Sequence, residues 1–214
     1  MEPKKLLKHK GLSNLSNNSE DIAKYYDNWS SDYDETLAQW RYDAPEQVAS
    51  ILMAELSPQS VILDAGCGTG LSGKALRSVG FETIDGIDVS SHSLKTAAMS
   101  GTYNTLCLVD MQNLPFPIQD NQYEGLICVG VLTYLTDIIG TLREFNRIVR
   151  PKGSIVFTQR TDLFAKHDLR SILKELSDEG QIERVRISEP HPYLPNNEEF
   201  SDKILVHYIS YEVV

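Results

Sequence analysis

Cysteine is scarce in this chain. There are three in 214 residues, Cys67, Cys107 and Cys128, each in or beside an apolar segment and none in a C-x-x-C pair. That spacing fits neither a disulfide framework nor a zinc site, and it leads to the expectation of reduced thiols in a cytoplasmic protein. Long apolar runs are missing as well: no stretch approaches the ~18 residues of a membrane-spanning helix. Near the N-terminus only Leu6-Leu7 stands between lysines, too little for the apolar region of a signal peptide. Basic charge is also in short supply. Lys and Arg total 20 against 30 Asp and Glu, for a formal net charge of −10, and no basic run occurs beyond Lys4–Lys10. A polyanion needs a basic surface to displace its counterions, so neither nucleic acid nor a membrane is expected as a partner. His9, His92, His167 and His207 have no metal-ligand spacing with one another or with the cysteines, and no metal is assigned.

What is present suits one α/β domain with a small extension. The apolar content of 41% supplies a core of ordinary size. Residues 1–19, Lys-rich and then Ser/Asn-rich, read as a flexible tail. Residues 20–57 read as an N-terminal helical lid, with Ile22, Tyr25, Tyr26 and Trp29 in its first part. In its second part Asp43-Ala44-Pro45-Glu46 forms a helix start with Asp43 as cap, and Val48, Ile51, Leu52 and Leu56 follow at helical spacing. Residues 58–214 read as the core.

Within that core, strands and helices alternate. Strands are expected at Val61–Asp64, Phe81–Ile87, Thr105–Val109, Tyr123–Val129 and Ser154–Thr158. Helices carry Leu71–Val79, Leu94–Ala98 and Ile138–Val149. This cadence predicts right-handed βαβ units on a mainly parallel sheet, a Rossmann-like three-layer sandwich. The ending differs: one helix over Leu163–Leu176 precedes strands at Gln181–Ile187 and Ile204–Val213 with no helix between them. A direct strand–loop–strand link makes the last strand of the seven antiparallel.

The central signal is Val61-Ile62-Leu63-Asp64-Ala65-Gly66-Cys67-Gly68-Thr69-Gly70, a strand running into a glycine-rich turn and then a helix. Glycines there let a ligand approach the backbone closely. The dinucleotide fingerprint G-x-G-x-x-G requires glycine where this chain has Leu71, so the pattern is G-x-G-x-G, with Asp64 two positions ahead of the first glycine. Asp88 ends the next strand, eighteen residues after Gly70, where a carboxylate can accept both hydroxyls of a ribose. Asp110 ends the third strand and Met111 follows, a pair suited to an adenine amine and its ring. Helix capping or solvation would explain either acid alone. Their recurrence at successive strand ends, after this loop, favours the nucleotide reading.

On these residues the chain resembles the class I S-adenosylmethionine (SAM)-dependent methyltransferases over about residues 20–214. The resemblance implies that SAM is the cofactor, that residues 58–214 are the SAM-binding core, and that Asp64, Ala65, Gly66, Cys67, Gly68 and Gly70 surround the methionine moiety. It assigns Asp88 and Val89 to the ribose, Asp110 and Met111 to the adenine, and Val129 to the same crevice. It also implies a last strand inserted antiparallel beside the sixth. Asp110–Phe116 with Asp120–Val129, and Arg147–Gly153, resemble segments of the small-molecule branch. More narrowly, Tyr25–Tyr33 with Trp40–Ile51 is similar to a branch of methyltransferase-like proteins. There a W…YD segment, here Trp29, Tyr33 and Asp34, helps cap SAM, which puts Tyr26, Trp29 and Tyr33 among the cofactor contacts.

The acceptor is less legible. Methyl transfer from a sulfonium needs positioning and desolvation, and a general base only for a protonated nucleophile. Segments after strands four to seven should line the acceptor site: Gly130–Tyr134, Gln159-Arg160 and Ser188–Ser201. They offer Tyr134, His191 and Tyr193 as candidate catalytic groups, with a proline-stiffened turn and a surface His191 as the alternative. Arg160 reads either as the partner of an acidic substrate or as a solvated residue. No (N/D)PP(Y/F) motif follows strand four, which disfavours amino-methylation of nucleic acid. The expectation is a methyltransferase acting on a small molecule. The alternatives are a protein acceptor or a non-catalytic SAM-binding protein, and an NAD-dependent oxidoreductase fits neither the glycine spacing nor the hairpin ending.

Overall fold

The computed structural model describes residues 18–29, 33–198 and 204–214, apart from the side chains of residues 26–29 and 33. Three helices come first: α1 (Ser19–Trp29), α2 (Tyr33–Gln39) and α3 (Ala44–Met53). Strands and helices then alternate as β1 (Val61–Ala65), α4 (Leu71–Val79), β2 (Thr83–Asp88), α5 (Ser91–Met99), β3 (Thr105–Leu108), β4 (Tyr123–Cys128), α6 (Ile138–Ile148) and β5 (Val149–Arg160). The chain continues through α7 (Thr161–Lys166), α8 (Leu169–Asp178), β6 (Ile182–Ile187), the two-residue β7 (His191–Pro192) and β8 (Leu205–Val213).

The sheet runs β3-β2-β1-β4-β5-β8-β6, with β7 added alongside β8. The pairs from β3 to β5 are parallel, while β8 runs antiparallel to both β5 and β6. Side chains alternate across it, as strand geometry requires. Leu63, Leu126, Cys128, Ile155 and Phe157 enter the core formed with α6 and α8 through Leu142, Phe145, Leu173 and Leu176. Ile62, Ile127, Val129 and Val156 enter the core formed with α3 and α4 through Val48, Leu52, Ala75 and Leu76. Both faces are covered, so this is the expected three-layer α/β sandwich.

Three local readings change. The single helix expected over Leu163–Leu176 is two, because Asp168 takes a left-handed conformation (φ 46°) between α7 and α8. Asp43 precedes α3, yet its side chain makes no capping bond and instead accepts from Gln47 Nε2 at 3.1 Å. Ser19, placed in the tail by composition, opens α1, and residues 1–17 lie outside the described residues.

Candidate functional site

The strand order reverses at β1, which has β2 on one side and β4 on the other. Loops diverging at such a point leave a crevice beyond the carboxyl ends of the strands. The glycine loop enters it directly from β1. The Gly66 and Cys67 amides both donate to the Ile87 carbonyl, at 2.8 and 3.0 Å, which turns the chain off the sheet. Gly66 has φ 83°, and a Cβ there would lie 2.3 Å from Val131 Cγ2. Backbone conformation and space both demand glycine. At Gly68 (φ 50°) an added Cβ would meet no atom within 4 Å, so the loop presents bare backbone to open space.

Two of the strand-end acids organise this crevice. Asp88 accepts from Gly68 N at 2.9 Å and from Ser90 N at 2.8 Å, tying the end of β2 to the glycine loop. Asp110 accepts from Gln112 N at 2.9 Å, from Asn113 Nδ2 at 3.0 Å, and from Ser19 Oγ at 2.8 Å, a reach of 91 residues back to α1. Gln112 in turn donates to the Tyr134 carbonyl at 2.9 Å, which fixes the turn after β4 to the loop after β3. A third acid, Asp64, is fully buried in mid-sheet opposite Gly86 and Ile127. Burial, with a smaller contribution from Asp88, pushes its carboxyl up to about 7 against the opposing hydrogen bond from Tyr103.

Gly66, Gly68, Asp88, Val89, Asp110, Met111 and Tyr134 line one pocket. Gly130 and Val131, from the segment expected after strand four, line it too, with Ile22 of the expected lid; Ser19, Thr69, Ser93, Val109, Gln112 and Leu135 are lining residues to which the sequence assigned no site role. Several are immediate neighbours of named positions. Thr69 sits inside the loop motif but is not a glycine, and its hydroxyl donates to Asp34 Oδ1 of α2 at 2.6 Å. Ser19 had no local signal, since its place depends on where α1 docks, while Ile22 falls in the helical lid that the sequence suggested. With α1 in position the cavity holds about 90 Å³.

The remaining candidates lie elsewhere. Asp64, Ala65 and Cys67 are buried beneath the loop, Gly70 caps α4, and Val129 is buried ahead of Gly130. The Tyr193 hydroxyl is 3.4 Å from that of Tyr42, and a Cβ on Gly130 would come within 2.6 Å of it, so Tyr193 stands behind the pocket wall. Burial pushes the Tyr193 hydroxyl up to about 12, which keeps it protonated at neutral pH. His191 is exposed on β7 with its ring 5.5 Å from Tyr208, beside a separate cavity lined by Arg41, Asp43 and Gln47. Arg160 is not solvated as one reading had it: it is 7% exposed and held bidentate by Asp162 at 2.6 and 3.1 Å. The side chains of Tyr26, Trp29 and Tyr33 lie outside the described residues.

A methyltransferase domain model matches residues 63–157. Human methyltransferase-like protein 27 is 32% identical over 165 residues, covering 74% of this chain and 67% of the relative. The chain belongs to the class I SAM-dependent methyltransferase family. Malonyl-(acyl-carrier protein) O-methyltransferase of Serratia marcescens is 27% identical over 141 residues, 66% of this chain and 53% of that one. The chain thus spans about two thirds of the human relative and half of the bacterial one. The geranyl diphosphate C-methyltransferase structure from Streptomyces coelicolor A3(2), in complex with Mg2+, geranyl diphosphate and S-adenosylhomocysteine, superposes with a TM-score of 0.67. Its sequence is 15% identical, and the match covers 92% of this chain and 98% of that one. This methyltransferase is therefore a SAM-dependent enzyme. No helix among its described residues is long and apolar enough to cross a membrane.

The residues present fit SAM. Gly68 offers unobstructed backbone, Asp88 and Asp110 place carboxylates on the pocket wall, and the buried Asp64 Oδ1, beneath the loop, has no hydrogen-bond partner.

Proposed function

We propose that this methyltransferase transfers the methyl group of SAM to a small-molecule acceptor bound beyond Gly130, under the N-terminal helices. When bound, SAM supplies a methyl group already activated as a sulfonium. The chain's own work is then to orient the donor, align the acceptor and exclude water. The glycine loop over Asp64 holds the methionine portion, Asp88 the ribose, and Asp110 with Met111 the adenine. Val131 and Tyr134 face the reacting end.

The observation that carries the acceptor class is enclosure. Residues 20–57 act as a lid: α1 brings Ile22 to the pocket wall, with Ser19 just ahead of that range. Leu37 and Trp40 pack on Leu194 with Tyr42 and Tyr193 beside them, which backs the pocket wall at Gly130. A macromolecule would need an open groove. Ligand pockets commonly hold about 300–1,000 Å³, so admission of SAM requires α1 to move outward and close again. The name of one structural neighbour lends support, since the Streptomyces enzyme is a geranyl diphosphate C-methyltransferase, whereas the Serratia relative is named for a malonyl group carried on a protein. Tyr193, behind the wall at Gly130 and against Tyr42, supports the pocket and does not touch the acceptor. The test is a SAM-dependent product screen against a metabolite extract and against a protein extract. A product in the first supports this reading, and methylation confined to the second would overturn it.

A further inference from the structure

Tyr103 lies in the loop between α5 and β3, outside every motif, yet it is wedged into the base of the cofactor loop. Three glycines make room for it. A Cβ on Gly73 would lie 2.4 Å from the Tyr103 hydroxyl, one on Gly86 3.0 Å from its ring, and one on Gly70 3.2 Å from its ring. The hydroxyl donates to Asp64 Oδ2 at 2.7 Å and accepts from Gly73 N in the first turn of α4 at 3.1 Å. Its proton is therefore committed to Asp64, and its oxygen to the helix that the glycine loop opens.

This arrangement leaves Asp64 half-satisfied. Oδ2 is taken, whereas the buried Oδ1 has no partner. An unpaired buried carboxylate oxygen is costly, and proteins retain such atoms where a ligand or ordered water completes them. SAM and S-adenosylhomocysteine both carry an α-ammonium on the methionine portion. We infer that Tyr103 is a positioning residue for the cofactor: it orients Asp64 beneath the glycine loop and favours its carboxylate, so that its charge attracts that ammonium. The inference rests on the reading that this loop holds the methionine portion.

The surroundings of Asp64 explain why it needs such help. Burial and the charge of Asp88 both resist its ionisation, and the Tyr103 hydrogen bond is the force that opposes them. The other titratable groups beside it are the thiols of Cys67 and Cys128, both pushed up by burial and neutral at pH 7. Affinity for the ammonium should therefore fall as pH drops below the Asp64 transition near 7.

The experiment measures S-adenosylhomocysteine affinity from pH 5.5 to 9 for the wild type, Tyr103→Phe and Asp64→Asn. A carbon-detected titration of Asp64 in the free protein runs alongside it. The expectation is that Tyr103→Phe moves the Asp64 transition and the affinity profile upward together by about one pH unit, with several-fold weaker binding at pH 7. Asp64→Asn should flatten the profile. Gly73→Ala, which displaces the ring from the other side, should shift it in the same direction, so the inference survives if Tyr103→Phe fails to fold. Unshifted transitions in folded variants would overturn the role of Tyr103 while leaving cofactor binding intact. Failure of the wild type to bind S-adenosylhomocysteine would overturn the cofactor reading itself.

Discussion

The two halves of the sheet end differently. Beyond β1, β2 and β3 the chain is held by backbone amides: Asp88 grips Gly68 and Ser90, Asp110 grips Gln112, and Gly66 and Cys67 share the Ile87 carbonyl. Beyond β4 and β5, and ahead of β8, most contacts are between side chains distant in sequence, beside the Gly130 amide that donates to Thr158 Oγ1 at 2.8 Å. Tyr42 meets Tyr193, Thr133 donates to Gln159 Oε1 at 3.2 Å, and Trp40 packs near Leu194. Backbone-held geometry depends on a few glycines and acids at fixed spacing. Side-chain geometry can vary its chemistry without disturbing the fold. On the proposed assignment, the first half receives the constant ligand and the second the variable one.

The largest effect should come from breaking the backbone-held half at Gly66. Gly66→Ala adds left-handed strain and a clash with Val131, together roughly 2–4 kcal/mol, and cofactor binding should be lost. Adding Val131→Ala should recover the steric part and not the strain, which thermal melts of the single and double variants would show. Next is pH. The Asp64 carboxyl is raised in the folded protein, so the folded state binds the extra proton and stability declines as pH rises from about 4 through about 7. Asp64→Asn should flatten that slope by a few kcal/mol, as read by urea denaturation at both ends of the range. An unchanged slope would mean that Asp64 pays no burial penalty.

Asp88→Ala should weaken S-adenosylhomocysteine binding by roughly 1.5–3 kcal/mol, the range for hydrogen bonds to a charged group. Calorimetry with normal affinity would remove the ribose assignment. The smallest effects belong to the variable half and its lid. Ser19→Ala removes one hydrogen bond to Asp110, worth about 1 kcal/mol, and should speed amide exchange in α1. His191→Ala should leave turnover unchanged, because its ring lies on Tyr208 away from the pocket. A tenfold loss of activity in that variant would bring the β7 segment back into the site.

The contrast also explains what the sequence disclosed. Asp88 was legible because one helix and one strand separate it from Gly70, and that length is set by packing. The antiparallel ending was legible because no helix separates β6 from β8. The break at Asp168 was not, since a left-handed aspartate interrupts an apolar period that continues through Leu169 and Leu173. Neither the docking of Ser19 on Asp110 nor the placing of Tyr103 under Asp64 leaves a local trace, because each joins segments 39 or more residues apart. His191 looked available beside two prolines until the two-residue pairing of β7 with β8 held it at the surface.

The central claim is that the backbone-held half receives the cofactor. A crystal structure with S-adenosylhomocysteine tests it most directly. The account predicts ribose hydroxyls within hydrogen-bonding distance of Asp88, adenine between Asp110 and Met111, and the sulfur facing Val131 and Tyr134. A ligand bound with its ribose away from Asp88, or in the cavity beside His191, would contradict it.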